Sequence, residues 1–214
     1  KLSRQPNPGP IVDCLKSKFP NPEEWDLKRC AQYDVERAID ELRPSKSCGP
    51  DKISNLLLKQ LKFEIAPAMT LIVNKSIESG VFPTIWKSAR VLPVHKNGSK
   101  TSAENYRPIC LSSNLGKLLE LIIGKQINSA LENILPENSF GFRRGKGTEQ
   151  ALVHLLDNAR KLRAQGKKVA MLALDVSSAF DLLSHSIILQ SFEAIGGGQR
   201  LMAWISSYLS GCSQ

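Results

Sequence analysis

One nearly unbroken apolar run in this chain ends abruptly at a carboxylate. Residues 169–174 read VAMLAL, and Asp175 follows them. A continuous apolar run of this length is typical of a strand that is covered on both faces of a sheet. A carboxylate inside a sheet is costly unless it is paired or binds a cation, so we expect Asp175 at the mouth of the strand. The run therefore predicts a buried strand over residues 168–176 in an α/β chain.

The residues after Asp175 predict a turn followed by a helix. Ser177 and Ser178 carry hydroxyl groups that suit the N-cap of a helix running to about Leu189. Asp175 then serves either as a cap of that helix or as the ligand of a cation. The strand, the turn and the helix alone leave both roles open.

Length and charge limit the classes of protein to which the chain can belong. With 214 residues and 42% hydrophobic content, it can bury the core of one large domain or two small ones, and disorder is excluded. Lys and Arg exceed Asp and Glu by 29 to 20, which gives a formal net charge of +9. This balance favours a polyanionic partner such as nucleic acid.

The cysteines and the hydropathy of the chain indicate its compartment. The five cysteines are odd in number, far apart and never in a CxxC pair, so neither a disulfide framework nor a zinc site is predicted. We therefore expect a reducing, intracellular location. No apolar stretch approaches the ~20 residues that span a bilayer, and the first residues lack a signal-peptide core, so neither membrane association nor a targeting signal is expected.

Helical spacing of apolar residues predicts most of the other elements. The first 33 residues are rich in Pro, Asn and Gly and are predicted as a loosely ordered lead. A helix is expected from Asp34 to just before Pro44, with a turn over residues 49–51. Further helices are predicted over residues 53–63, 66–79, 114–131, 148–165 and 200–210.

A hairpin with a basic tip is predicted between two of these helices. The β-prone runs ARVLPVH and YRPICL flank the polar loop KNGSKTSAEN. Cations crowd this segment, and they are Lys87, Arg90, Lys96, Lys100 and Arg107 together with His95. On composition alone, a solvated charged loop explains them as well as an anion site does.

The glycine-rich sequence GFRRGKGT, residues 141–148, invites comparison with a phosphate-binding P-loop but does not match it. A P-loop has Gly, four residues and then Gly-Lys-Ser/Thr, whereas Lys146 stands here at the position of the second Gly. No apolar strand precedes the loop either. A P-loop nucleotide hydrolase is therefore not indicated.

Several segments together resemble one family in the same order. LALDVSSAFDLLSH, residues 172–185, resembles the first catalytic-aspartate motif of reverse transcriptases of non-LTR (LINE-type) retrotransposons. Upstream, SKSCGPDKISNLLLK, WKSARVLPVHKNGSK, NYRPICLSSNLGKLLE and SFGFRRGKGTEQAL are similar to segments of that family. The resemblance implies a right-hand polymerase fold, α/β (α+β), with fingers over residues 34–165 and the first part of the palm over residues 166–214, after the lead of residues 1–33.

The resemblance also assigns roles to the residues around the aspartate. It implies that Asp175 and the backbone carbonyl of Val176 bind two Mg²⁺ ions, with Mn²⁺ as a substitute. Phe180 occupies the family position whose aromatic ring lies under the incoming sugar and collides with a ribose 2′-hydroxyl. Because of this ring, which Asp181 follows directly in the sequence, we expect the enzyme to select deoxynucleotides.

Other residues are expected to contact substrate or nucleic acid by the same resemblance. Arg107 matches the contact to the incoming triphosphate, and Lys96, with Lys100 as the alternative, matches the second contact. In the segment that borders template and primer, Phe140 and Phe142 are candidates for stacking or packing. The expected phosphate contacts there are Arg143, Arg144 and Lys146.

The family implies an RNA-directed DNA polymerase, a nucleotidyltransferase that extends a DNA primer with dNTPs on an RNA template, found in nucleus and cytoplasm. No Asp follows Asp181, so we expect the family's Asp-Asp hairpin, the remaining palm segments and the thumb to be missing from this chain. The chain alone is accordingly expected to be inactive. The alternative is a catalytically inactive nucleic-acid-binding remnant or domesticated fragment.

Overall fold

A computed structural model describes residues 9–176 and 183–211 of the chain. The described residues form eight α-helices and one antiparallel two-stranded sheet, a mixed α/β structure. The elements are α1 Gly9–Lys18, α2 Gln32–Glu41, α3 Asn55–Gln60, α4 Lys62–Ser79, β1 Ala89–His95, β2 Tyr106–Ser112, α5 Asn114–Leu131, α6 Thr148–Ala164, α7 His185–Ala194 and α8 Gln199–Leu209.

The chain divides into two compact units. The first combines Lys1–Gln126 with Leu183–Gln214, and the second is Ile127–Leu182. These boundaries differ from the three regions predicted from the sequence, because residues near the N-terminus pack with residues after position 183.

An aromatic cluster and the apolar faces of α2, α4 and α8 form the core of the first unit. Phe82 contacts the edges of Trp204 and Tyr208, with ring centroids 5.7 and 5.2 Å away. The buried hydroxyl of Ser76 donates to the Val81 carbonyl at 2.7 Å and accepts from the Trp204 indole N–H at 2.9 Å. The polar groups in this core are thus hydrogen-bonded, as buried polar groups need to be.

Most of the predicted elements are confirmed. Helix α5 has the predicted bounds, and the hairpin pairs Ala89 with Ser112 through His95 with Tyr106. Helix α4 ends at Gly80, whose φ is 63° and whose added Cβ would lie 2.6 Å from the Ala203 side chain. A glycine is needed there for both reasons.

The expected loosely ordered lead is wrong for the part of it that the structure describes. Residues 9–18 form α1, and Leu27 and Cys30 are buried. Side-chain amides fix this segment, since Asn74 bonds both the N–H and the carbonyl of Cys30, at 2.8 and 3.0 Å. Apolar burial and these amide contacts order a sequence whose composition predicts a loop.

The predicted buried strand over residues 168–176 is not formed. Met171, Leu172 and Leu174 are 72%, 81% and 85% exposed, and no described segment pairs with this stretch. A strand needs a hydrogen-bonded neighbour, and the described residues of this unit supply none. The predicted capping residues Ser177 and Ser178 lie outside the described residues.

The helix expected after the aspartate begins and ends later than predicted. Helix α7 starts at His185, with Ser184 rather than an earlier serine as its N-cap, and it continues to Ala194. The Ser184 hydroxyl accepts the backbone N–H of Ser186 at 3.3 Å, which satisfies one of the free donors of the first turn.

The described helices and cysteines bear on the predicted compartment. No helix there is both long and apolar enough to cross a membrane. The four cysteines within the described ranges, Cys14, Cys30, Cys48 and Cys110, are all free thiols.

Candidate nucleic-acid interface

The hairpin in the first unit presents a face that carries cations between apolar side chains. Val94 pairs with Arg107 and Leu92 with Ile109, and directly opposite residues share one face of an antiparallel ribbon. Alternation along β1 places Arg90 on the same face. We call the surface formed by Arg90, Leu92, Val94, Arg107 and Ile109 the cationic face, and all five of its residues are exposed.

The tip of the hairpin is ordered by its own side chains. Asn105 donates its amide N–H to the Ser99 carbonyl at 2.8 Å, and Tyr106 donates its hydroxyl to the Lys100 carbonyl at 2.9 Å. Gly98, at φ 78°, lies so close to Asn105 that an added Cβ would be 2.8 Å from the amide nitrogen. Lys100 therefore projects from a defined turn.

Three predicted substrate contacts lie together in this hairpin. Lys96 continues the ladder through its backbone N–H, which donates to the Asn105 carbonyl at 2.7 Å. Lys96, Lys100 and Arg107 are exposed, and within the described part of the chain none of them pairs with a carboxylate. Their charge is available to an anion. Sequence analysis found these cations but not Asn105 and Tyr106, although Asn in a polar loop is a typical turn residue.

In the second unit, the predicted phosphate contact Arg143 has a different role. Only 7% of its side chain is exposed, and its guanidinium pairs with the Glu132 carboxylate and donates to the Pro136 carbonyl at 2.8 Å. The hydrogen bond from Arg143 lowers the pKa of Glu132 below its usual range. These partners bury the charge of Arg143 within the turn, so its side chain does not present that charge to a phosphate as predicted.

The neighbouring basic and aromatic residues are more accessible. Arg144 is exposed, and so is Phe142, at 91%, on a left-handed backbone with φ 57°. Lys146 donates to the Glu137 carbonyl at 2.8 Å and lies 5.7 Å from the centre of the Phe140 ring. Phe140 thus packs inside the unit, whereas Phe142 presents its ring at the surface.

A groove of about 1180 Å³ lies between α6 and the preceding segment in this second unit. Its charged lining residues are Glu132, Glu137, Glu149, Asp157, Arg143, Lys146 and Arg160. Both carboxylates and cations line it, so the groove has no preference for an anion. Sequence analysis did not predict it.

Asp175 and Val176 lie in an exposed, irregular stretch of the second unit. Over the described residues, no three His, Cys, Asp or Glu side chains gather where they could hold a metal ion. Asp175 and the adjacent carbonyl therefore do not form a metal site by themselves. Phe180, the predicted sugar contact, lies outside the described residues.

Comparison with known proteins shows the family. The model of the family described as "Reverse transcriptase (RNA-dependent DNA polymerase)" matches residues 94–214, more than half of the chain. The chain belongs to the reverse transcriptase family. The match includes Lys96, Lys100, Arg107 and Asp175.

Proteins of mobile elements are among the relatives of this reverse transcriptase segment. It is 33% identical over 162 residues to the probable RNA-directed DNA polymerase from transposon BS of Drosophila melanogaster, which covers 74% of this chain and 18% of the relative. It is 32% identical over 156 residues to the RNA-directed DNA polymerase from mobile element jockey of the same species, covering 71% of this chain and 17% of the relative. These similarities confirm the predicted resemblance to non-LTR retrotransposon enzymes.

A third relative extends the coverage of the chain. The putative 115 kDa protein in type-1 retrotransposable element R1DM, also of Drosophila melanogaster, is 30% identical over 184 residues, which is 84% of this chain and 17% of that protein. The chain spans less than a fifth of the length of these three curated relatives.

Proposed function

We propose that this segment belongs to an RNA-directed DNA polymerase of a non-LTR retrotransposon, which extends a DNA primer with dNTPs on an RNA template. The family match that joins the basic hairpin to the Asp175 motif is the observation that carries this proposal. The unpaired cations of the hairpin support it, because phosphoryl transfer needs positive charge around the triphosphate.

The proposed architecture is that of a right hand. The hairpin and the helices around it form part of the fingers, and residues 166–214 begin the palm. The order of the matching segments supports this arrangement. The rest of the palm and the thumb would come from other parts of the full-length protein, in keeping with the small share of each relative that the chain spans.

Asp175 and the carbonyl of Val176 are proposed as oxygen ligands of divalent metal, Mg²⁺ or Mn²⁺, two ions in the complete enzyme. Bound ions of this kind neutralise triphosphate charge and activate the primer 3′-hydroxyl. Asp175 is exposed, and the described residues gather no acidic cluster around it. The remaining ligands would therefore come from another segment.

The substrate contacts are proposed on the exposed cations. Arg107, with Lys96 or Lys100, contacts the triphosphate, and Phe180 selects deoxynucleotides. Arg144 and the ring of Phe142 face the template–primer duplex, where base stacking on an aromatic ring is worth ~1 to 3 kcal/mol per base. Lys146 contributes charge beside them. Arg143 holds the turn from which these side chains project.

Primer extension by the full-length protein tests the proposal. With an RNA template and DNA primer, Asp175→Ala should reduce extension to background, because the metal-binding carboxylate is lost. Asp13→Ala removes an exposed carboxylate from α1 and should leave extension unchanged. Normal extension by Asp175→Ala would contradict the proposal. Sustained extension by the 214-residue chain alone would instead contradict the proposed need for further palm and thumb segments.

Phe180→Val tests the proposed selection of sugars in the same assay. The ratio of kcat/KM for ribonucleotides to that for deoxynucleotides should rise, because the ring that collides with the 2′-hydroxyl is removed. If the ratio stays constant while the protein loses stability, Phe180 is a packing residue instead.

A further inference from the structure

The root of the hairpin, where β2 passes into α5, contains two buried polar residues. Ser113 and Asn114 are only 2% and 3% exposed. Asn114 donates its amide N–H groups to the carbonyls of Ser47 and Ile53, at 3.0 and 2.7 Å. One side chain thus bonds two separate points of the loop, residues 42–54, that lies between α2 and α3.

The part of the loop between these two points bonds the same root. Asp51 accepts the Ser113 hydroxyl at 2.5 Å and the Ile53 backbone N–H at 3.2 Å. Gly49 lies against the end of β2, where an added Cβ would be 2.5 Å from the Ser112 carbonyl oxygen. We call Gly49, Asp51, Ser113 and Asn114 together the root clasp.

The rest of the hairpin has few other supports. Over the described residues, β1 and β2 form a sheet of two strands only, and the cationic face is exposed. On the β1 side, Lys87 fixes the root by donating to the carbonyls of Ser207 and Ser210, at 2.5 and 2.9 Å. On the β2 side, the root clasp fixes the root, as Lys87 does on the β1 side.

The distance from the clasp to Arg107 makes its rigidity important. At about 3.4 Å per residue, Arg107 lies about 20 Å along β2 from Ser113, so a tilt of about 5° at the root moves it by about 2 Å. Displacements of ~1 Å in a substrate-positioning group can cost ~100-fold in rate.

We infer that Asp51 and Asn114 are positioning residues for Arg107, and that they set the direction in which β2 carries this cation towards a polyanionic ligand. The inference rests on the proposed function of the hairpin. A simpler role is that Ser113 caps α5, since its hydroxyl accepts the Gly116 N–H at 3.2 Å, and that Asn114 only fills the core. The simpler role predicts a loss of stability without a specific effect on β2.

Asn74 provides a matched control for Asn114. It is also a side-chain amide in the first unit that bonds backbone groups of a distant segment, here both polar groups of Cys30. It lies on α4 and contacts the segment before α2 rather than the hairpin. Asn114→Ala and Asn74→Ala therefore each remove two hydrogen bonds from the same unit, one pair at the hairpin and one away from it.

Hydrogen exchange on the full chain tests the clasp directly. Asn114→Ala and Asp51→Ala should speed exchange of the Tyr106–Ser112 amides about tenfold relative to those of α8, which is the effect of about one lost buried hydrogen bond. Asn74→Ala should not. Asp51 is exposed, so its variant keeps the core intact, and Asp51→Asn should restore protection because it retains an acceptor for Ser113. Equal exchange of β2 in the Asn114 and Asn74 variants would overturn the inference.

Affinity for an RNA–DNA primer–template duplex supplies the functional arm. Asn114→Ala should weaken binding, and the loss should disappear when Arg107→Ala is already present, because the clasp acts through that residue. Additive losses would overturn the positioning role. If Arg107→Ala alone leaves affinity unchanged, the proposed function of the hairpin fails, while the exchange result still decides whether the clasp fixes β2.

Discussion

Arg143 and Arg144 are adjacent in sequence but have opposite environments. Arg143→Ala should destabilise the second unit by about 1 to 2 kcal/mol, because it removes the hydrogen bond from the buried guanidinium to the Pro136 carbonyl. Arg144→Ala, at an exposed position, should leave stability unchanged within ~0.5 kcal/mol. Hydrogen exchange of the α6 amides measures both effects, since all three tryptophans lie in the other unit.

The same pair separates structure from binding. Arg144→Ala should weaken binding to an RNA–DNA duplex at low salt, because it removes one exposed charge. Equal loss of stability in the two variants would show that the Arg143 contacts do not hold the turn.

This difference between neighbours could not be predicted from the sequence. A run of two arginines in a glycine-rich segment indicates positive charge, and that much is correct. The carbonyl of Pro136 and the carboxylate of Glu132 become partners of Arg143 only when the turn between them closes. For Lys96, Lys100 and Arg107, the sequence pattern predicts only that one hairpin carries them, and their roles as substrate contacts come from the resemblance to the family.

At the scale of elements, Asp26 caps a helix that is remote in sequence. Its carboxylate accepts the backbone N–H groups of Arg200 and Leu201, at 3.1 and 2.8 Å. Burial acts to raise the pKa of Asp26, but the hydrogen bonds from Leu201, Leu27 and Arg200 and the Arg200 charge outweigh it and lower the pKa. The lowered pKa means that the ionised form stabilises the docking of α8.

We therefore expect Asp26→Ala to destabilise the first unit by about 1 to 2 kcal/mol at neutral pH. Because the folded-state pKa is lowered, this contribution is fully present above the ordinary aspartate pKa of about 3.9 and is lost as pH falls through the folded value. Denaturant unfolding followed by tryptophan fluorescence measures it, with Asp13→Ala as the exposed control. A difference between wild type and variant that grows in acid would contradict the assignment.

The exposed apolar stretch of residues 168–176 predicts self-association. This stretch exposes apolar side chains and pairs with no strand among the described residues, which favours pairing between chains. Leu172→Lys with Leu174→Lys should shift the chain towards monomer in sedimentation experiments. Ile85→Lys, at an apolar side chain that is 82% exposed elsewhere, should not. A wild-type chain that is monomeric with protected amides over this stretch would contradict the prediction.

The elements that were predicted well carry their own signals. Helix α5 has apolar residues at helical spacing along its length, and its bounds followed from that pattern alone. The stretch before Asp175 has equally strong strand propensity but depends on a neighbouring strand, which no described segment supplies. Local periodicity therefore predicted the helices and the hairpin. It could not predict whether a single strand finds a partner elsewhere in the chain.

For the whole molecule, the excess of positive charge matters only where it is exposed and unpaired. The formal net charge of +9 says that a polyanion is attracted but not where it binds. Several cations are already engaged, Lys62 with Asp40 and Lys125 with Glu41 among them. Those of the hairpin remain free of carboxylates within the described residues, which makes that region the expected binding surface.

The most direct test compares two triple variants that remove the same charge. One changes Lys96, Lys100 and Arg107 to Gln, and the other changes the exposed residues Lys16, Lys18 and Lys75 to Gln. Binding to an RNA–DNA primer–template duplex is measured against salt concentration. If the hairpin holds the phosphates, the first variant should bind more weakly. Its log–log salt slope should also be shallower by about 2 to 3, because each of the three lost phosphate contacts contributes about 0.7 to 0.9. The second should keep the wild-type slope, and equal changes in both variants would contradict a localised interface.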